Sequence, residues 1–200
     1  MRRLVYLISP PKIKKSFYKD LDKVLSNKNV KFFQLRLKNT KIKHIVKISN
    51  KVKKITRKHN VKFILNDNFF LAKKIRADGC HMGQHDGSFR NARKEIKGKI
   101  FGITCHNSKL LIKDAVRLKA DYIALGSFFK SKLKPNAKIA RLNVLKWTKK
   151  NIKKPIVAIG GINNLNYKKF IKFGAKYIAI SSYIWDNPIL KPEIAIKKFK

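Results

Sequence analysis

NDNFFLAKKIRADGCHMGQHD, residues 66–86, holds one unit of a rhythm that runs through the chain. Asp67 follows the apolar run Phe63-Ile64-Leu65, and Phe69 to Ile75 has a short helical pattern. Cys80-His81-Met82 then forms the core of a second apolar run, with Asp86 a few residues on. The unit reads strand, acidic loop, helix, strand, acidic loop. Parallel strands joined through a helix point the same way, so both loops open on one face. Two carboxylates converging there suit a hard divalent cation such as Mg2+. The competing reading is local: Asp67 caps a helix and Asp86 closes a turn.

The same alternation extends in both directions. Leu4–Ser9, Phe32–Arg36, Ile100–Thr104, Tyr122–Gly126, Pro155–Ile159 and Tyr177–Ile180 read as further strands. Ser16–Leu25, Lys41–His59, Ser88–Ile96, Ser108–Leu118, Leu142–Lys150 and Leu165–Phe173 carry apolar residues at helical spacing, and the end of the chain reads as mostly helical. Ile42, Ile45, Val46, Ile48, Val52 and Ile55 make the strongest stripe. Eight strands alternating with eight helices predict an α/β architecture, a single (β/α)8 TIM barrel filling residues 1–200 as one catalytic domain. An open doubly wound sheet is the alternative. Its dinucleotide-binding form is disfavoured, because Ser9-Pro10-Pro11 follows the first strand in place of a glycine-rich turn.

Lys plus Arg number 50 against 10 Asp plus Glu, a formal charge of +40. Such a balance raises the question of a nucleic-acid partner. The lysines run from Lys12 to Lys200 across every expected helix, with no concentrated stripe. The reading is therefore a solvated basic surface with weak, salt-sensitive affinity for polyanions and no specific nucleic-acid partner. No apolar run reaches membrane-spanning length. Leu4 to Ile8, after Met1-Arg2-Arg3, is too short for a signal peptide and lacks a cleavage pattern. A cytoplasmic protein without a membrane partner is expected, with homo-oligomerisation left open. Cys80 and Cys105 lack C-x-x-C spacing and read as small buried hydrophobes. A metal site joining them to His81 and His106 is the other reading.

In a barrel, the active site lies at the carboxyl ends of the strands. Gln34, Arg36 and Lys38 follow one another there at alternating positions. Gln34 suits a heterocycle, and the two cations suit phosphate oxygens, unless this is simply an exposed strand edge. Asn66 precedes Asp67, and Thr104 ends strand five, where it either meets a ligand oxygen or caps the next helix. Ser131 and Lys134 stand in the long loop after strand six. Gly160-Gly161 and Ser181-Ser182, after strands seven and eight, together resemble a phosphate cradle, although each alone is an ordinary turn or cap. No Ser-His-Asp order appears, while a lysine Schiff base stays open. The inventory suits two anionic substrates or one bisphosphorylated substrate.

Seven segments, in order, resemble the thiamine-phosphate synthase family: QLRLK at Gln34–Lys38, ND at Asn66-Asp67, ADGCHMGQHD at Ala77–Asp86, GITCH at Gly102–His106, ADYIALGSFF at Ala120–Phe129, AIGGI at Ala158–Ile162 and GAKYIAISS at Gly174–Ser182. The resemblance implies small-molecule substrates, a pyrimidine diphosphate and a thiazole phosphate, joined with release of pyrophosphate. It implies Mg2+ on Asp67 and Asp86, with Arg36, Lys38, Asn66 and Lys134 on the diphosphate and Gln34 on the pyrimidine. Thr104 would lie at the reacting centre and share the catalytic role with Lys134. Ser131, Gly161, Ser181 and Ser182 would serve the thiazole phosphate. The chain departs from the family pattern at Ser127, where proline is usual, at Leu133, where a hydroxyl is lost, and at Leu37, where an acid is common. The thiazole tautomerase branch shares the barrel and one phosphate site. Keeping both aspartates with Arg36 and Lys38 favours the synthase.

Overall fold

Strands that are apolar at every position, such as VYLI and YIAI, must bury both faces, and only a sheet covered on both sides allows that. The computed structural model, which describes residues 3–129 and 139–200, shows how they do so. The strands are β1 (Val5–Ile8), β2 (Val30–Leu35), β3 (Lys62–Asn66), β4 (Gly79–Met82), β5 (Ile100–His106), β6 (Tyr122–Gly126), β7 (Ile156–Ile159) and β8 (Tyr177–Ile180). They close in sequence order into a parallel barrel, and β8 pairs with β1 to seal it. The (β/α)8 expectation is met.

The ring outside contains α1 (Phe17–Leu25), α2 (Ile42–Lys58), α3 (Phe69–Lys74), α4 (Phe89–Glu95), α5 (Lys109–Arg117), α6 (Leu142–Asn151) and α7 (Tyr167–Lys172). After β8 come α8 (Ser182–Trp185), α9 (Pro192–Ala195) and a 3-10 turn, Ile196–Lys198. Among the described residues, no helix is long and apolar enough to cross a membrane.

Strand alternation divides the core in two. Tyr6, Ile8, Phe32, Ile64, Tyr122, Ala124, Val157, Tyr177 and Ala179 fill the barrel interior. Leu7, Phe33, Phe63, Cys80, Met82, Phe101, Ile103 and Cys105 face the helices. Cys80 and Cys105 are buried free thiols, and burial raises the pKa of both. Alternation places His81 on the opposite face from Cys80, which removes the basis for a shared Cys-His metal site.

Two boundaries and the buried line of α2 differ from the sequence reading for local reasons. β5 runs on to His106 through a register shift after Thr104. Helix α7 starts at Tyr167, because the Asn163 side chain accepts from Leu165 and Asn166 N–H groups and holds that segment in a turn. On α2 the fully buried line is Ser49, Val52 and Thr56, while Ile42 in the first turn is 59% exposed. Its isoleucines flank the contact more than they form it.

Candidate active site

Eight parallel strands bring eight loops to one rim, and the acidic loops meet there as expected. Asp67 follows β3 with φ 66°, a left-handed conformation uncommon for a residue with a Cβ. Its N–H donates to the His81 carbonyl at 2.7 Å. Asn68, not Asp67, caps α3 by accepting from Leu71 N–H at 2.8 Å. The Asp67 carboxylate is thereby left for the rim. Asp86 closes a turn and also faces Lys38 at the rim. One oxygen accepts the Gly83 N–H at 2.7 Å and closes the turn, while the other lies 3.5 Å from Lys38 Nζ. Lys38 also donates to Asp67, so one ammonium bridges two carboxylates.

The charges are strongly coupled. Burial, reinforced by the neighbouring Asp86, pushes the Asp67 carboxyl up to about 6 against the pull of Lys38. Burial acts on Asp86 in the same sense, but the Asp67 hydrogen bond, the Gly83 N–H and Lys38 outweigh it and hold Asp86 below the usual carboxylate range. The two titrate as a pair. Their hard oxygens converge on a single positive group, and among the described residues no third His, Cys, Asp or Glu joins them. That donor set fits Mg2+, which commonly takes one or two carboxylates and completes its shell with water and substrate phosphate oxygens.

Gln34, Arg36 and Lys38 do not act as one row. Gln34 lies inside β2 and is buried in the barrel. Arg36 follows the strand, its N–H held by Ser9 Oγ at 3.0 Å, and among the described residues no carboxylate pairs with its guanidinium. Lys38 reaches across to the acids. Asn66 ends β3 in register with His81.

Below the rim lies a buried polar chain that the sequence reading missed. Gln34 Nε2 donates to Tyr6 Oη at 3.0 Å, and Tyr6 Oη lies 2.7 Å from Tyr122 Oη. Tyr122 Oη is 3.0 Å from His81 Nδ1, and His81 Nε2 is 2.8 Å from Thr104 Oγ1. The chain thus reaches from β2 through β1, β6 and β4 to β5. Thr104 is half-buried, and its carbonyl accepts from Gln84 Nε2. It does not cap α5, because Ser108 does so by accepting from Leu111 N–H. A signal existed in the sequence: two tyrosines and a histidine sit in apolar strands at positions of inward parity, and buried phenols seek partners.

Across the rim, Gly160 and Gly161 adopt φ values of 102° and 65°. A Cβ on Gly160 would come within 1.9 Å of Ser127 Oγ, so the loop after β6 presses directly on this turn. Ser181 Oγ donates to the Ser9 carbonyl at 3.1 Å and helps tie β8 to β1. Ser182 is exposed and opens α8, where the first N–H groups have no intrahelical acceptor. Ser131 and Lys134 lie outside the described residues.

Three comparisons bear on this arrangement. The thiamine monophosphate synthase family profile matches residues 5–184. A thiamine-phosphate synthase from Pelagibacter ubique is 52% identical over 200 residues, covering 100% of this chain and 97% of the relative. One from Erythrobacter litoralis is 37% identical, covering 92% and 88% of the two chains. Among solved structures, thiamine phosphate pyrophosphorylase from Pyrococcus furiosus superposes with a TM-score of 0.87 at 25% identity, covering 98% of this chain and 93% of the other.

Proposed function

The chain belongs to the thiamine monophosphate synthase family and functions as a thiamine-phosphate synthase, and from that premise we propose how its own residues perform the coupling. The substrates in this reading are hydroxymethylpyrimidine diphosphate and a thiazole phosphate, and the products are thiamine phosphate and pyrophosphate. The observation that carries it is the convergence of Asp67, Asp86 and Lys38. A diphosphate with its cation needs such a cluster; a tautomerase, which handles no diphosphate, does not.

Asp67 and Asp86 would hold Mg2+, which when bound would supply positive charge to the diphosphate oxygens. Arg36, with no carboxylate partner among the described residues, is available to the same oxygens. Lys38, Asn66 and Lys134 complete this set. Gln34 commits its amide nitrogen to Tyr6 and keeps its carbonyl oxygen for the amine of the pyrimidine. The bond between the pyrimidine methylene and the diphosphate oxygen breaks, and its electron pair leaves with pyrophosphate. The aminopyrimidine stabilises the resulting cation, and the thiazole nitrogen closes the new C–N bond with its lone pair. No protein nucleophile takes part. The cations and donors act by stabilising charge that grows as the diphosphate departs.

Ser131, Gly161, Ser181 and Ser182 hold the thiazole phosphate. Because Ser181 gives its proton to the Ser9 carbonyl, the Ser182 hydroxyl and the first N–H groups of α8 do the donating. The whole site belongs to one catalytic domain of residues 1–200, working in the cytoplasm without a specific nucleic-acid partner. The even spread of lysine supports the last point.

The test is turnover of both phosphorylated substrates by the purified chain, with Mg2+ and with EDTA. Thiamine phosphate and pyrophosphate should form in equal amounts with Mg2+ only. Asp67→Asn and Asp86→Asn should each lower the rate by at least about a hundredfold. Undiminished turnover in EDTA, or in the double variant, would sink the metal assignment.

A further inference from the structure

We infer that Tyr6, Tyr122 and His81 are positioning residues: one directional hydrogen-bond relay fixes Thr104 as a proton donor and Gln34 as an acceptor toward the pyrimidine substrate. The inference rests on the reaction proposed above and extends it to residues beneath the rim.

The direction follows from counting protons. The Gln34 amide nitrogen can only donate, so Tyr6 Oη accepts from it. Among the described residues, Tyr6 Oη has one other partner, Tyr122 Oη, and its own proton must go there. Tyr122 then gives its proton to His81 Nδ1. A neutral imidazole with Nδ1 accepting carries its proton on Nε2, which donates to Thr104 Oγ1. The Thr104 proton is left for a ligand. With the Gln34 amide nitrogen toward Tyr6, any other assignment, including a protonated His81, points the Tyr122 proton at Tyr6 and turns the buried Tyr6 proton toward an NH2 group. A buried donor without an acceptor is strongly disfavoured. Burial also raises both phenol pKa values, so each keeps its one proton.

The packing supports a fixed relay. Tyr6 and Tyr122 are buried, and the His81 and Tyr122 rings stack with centroids 5.6 Å apart and planes 9° from parallel. A Cβ on Gly102 would lie 2.0 Å from the Tyr122 ring, so glycine is what lets that ring lie across the barrel. A ligand matching both ends carries a donor for Gln34 and an acceptor for Thr104. An aminopyrimidine with a departing diphosphate has both: its amine, and the oxygen that gathers charge as the C–O bond breaks.

The wild-type test needs no turnover. A long-range 1H–15N spectrum of the histidine-labelled chain, with His81 assigned by its loss in His81→Gln, should show Nε2 protonated and Nδ1 bare. A proton on Nδ1 would mean that Gln34 presents its carbonyl to Tyr6 and every bond runs the other way, which overturns the proposal. In Tyr122→Phe, Nδ1 loses its donor and the single tautomer should give way to a mixture. Its kcat should fall about tenfold with the KM for thiazole phosphate unchanged. In a Thr104→Ala background the same change should have no further effect on kcat; multiplicative losses would overturn action through Thr104. Tyr6→Phe, which cuts the relay one bond farther away, is the second variant, with thermal unfolding measured for both. A wild-type chain that makes no thiamine phosphate would sink the reaction assignment and leave the tautomer measurement to decide the relay.

Discussion

Lys38 reaches over the rim to hydrogen-bond the Asp67 carboxylate, and in doing so holds a positive charge where a cation is proposed to bind. It lies 3.5 Å from Asp86 as well, so it screens two carboxylates that would otherwise repel. Replacing it with an apolar side chain of similar length, Lys38→Met, removes that screen. The variant should unfold at a lower temperature than the wild type without Mg2+, by roughly 2 °C for a partly exposed pair in a chain this long. Added Mg2+ should then raise its melting temperature more than it raises that of the wild type. Paired thermal scans in Mg2+ and in EDTA check this, and an equal Mg2+ effect in both proteins would contradict the shared position.

The two anion sites should separate kinetically. Arg36 follows β2 beside the acidic loops, whereas Ser182 opens α8 at the β8 end. Arg36→Ala should slow ionisation and impair use of the pyrimidine diphosphate, because departing charge loses a cation. Ser182→Ala should chiefly raise the KM for thiazole phosphate. A hydrogen bond to a charged group is worth about 1.5–3 kcal/mol, which corresponds to a loss of roughly tenfold to a hundredfold in kcat/KM for that substrate. Separate titrations of the two substrates decide it, and the reverse pattern would refute the division.

Gly102→Ala probes the barrel interior. The new Cβ would meet the Tyr122 ring at 2.0 Å in a fully buried layer. Overpacking of this kind costs about 1–3 kcal/mol, and the melting temperature of a chain this long should fall by roughly 2–4 °C per kcal/mol. Coupling activity should fall with it, since the displaced ring carries the hydroxyl between Tyr6 and His81. A variant with unchanged stability would show that the ring has room to spare.

What the sequence made legible follows physical lines. Strands buried on both faces read as unbroken apolar runs, so the count of eight and the barrel were visible in strings such as YIAI and VYLI. Asp67 and Asp86 stood out because acids are scarce and each came within a few residues of a strand-like run. The relay was hidden because its partners are far apart in sequence: Tyr6 and Tyr122 meet only once the barrel closes. Local hydrogen bonds were equally hard to assign in advance. Asn68 rather than its neighbour caps α3, and Ser108 rather than Thr104 caps α5.

Acid stability should depend on a carboxylate away from the active site. Asp22 in α1 receives His59 Nε2 at 2.7 Å and Lys58 Nζ at 2.9 Å, which ties α1 to the end of α2. The His59 hydrogen bond first, and Lys58 second, hold its carboxyl below the usual range against a small opposing effect of burial. A lowered pKa in the folded state means that the unfolded chain binds more protons in acid. The stabilisation is therefore fully present above the unfolded carboxyl value of about 3.9 and is lost as pH falls through the folded value. Asp22→Asn should be less stable than the wild type at pH 7, and the gap should close in strong acid. The carboxylate is 38% exposed, so solvent screening limits the difference to at most about 1 kcal/mol. Urea titrations of both proteins across the acid range would measure it, and a difference that stayed constant down to strong acid would assign the effect to something other than this carboxylate's charge.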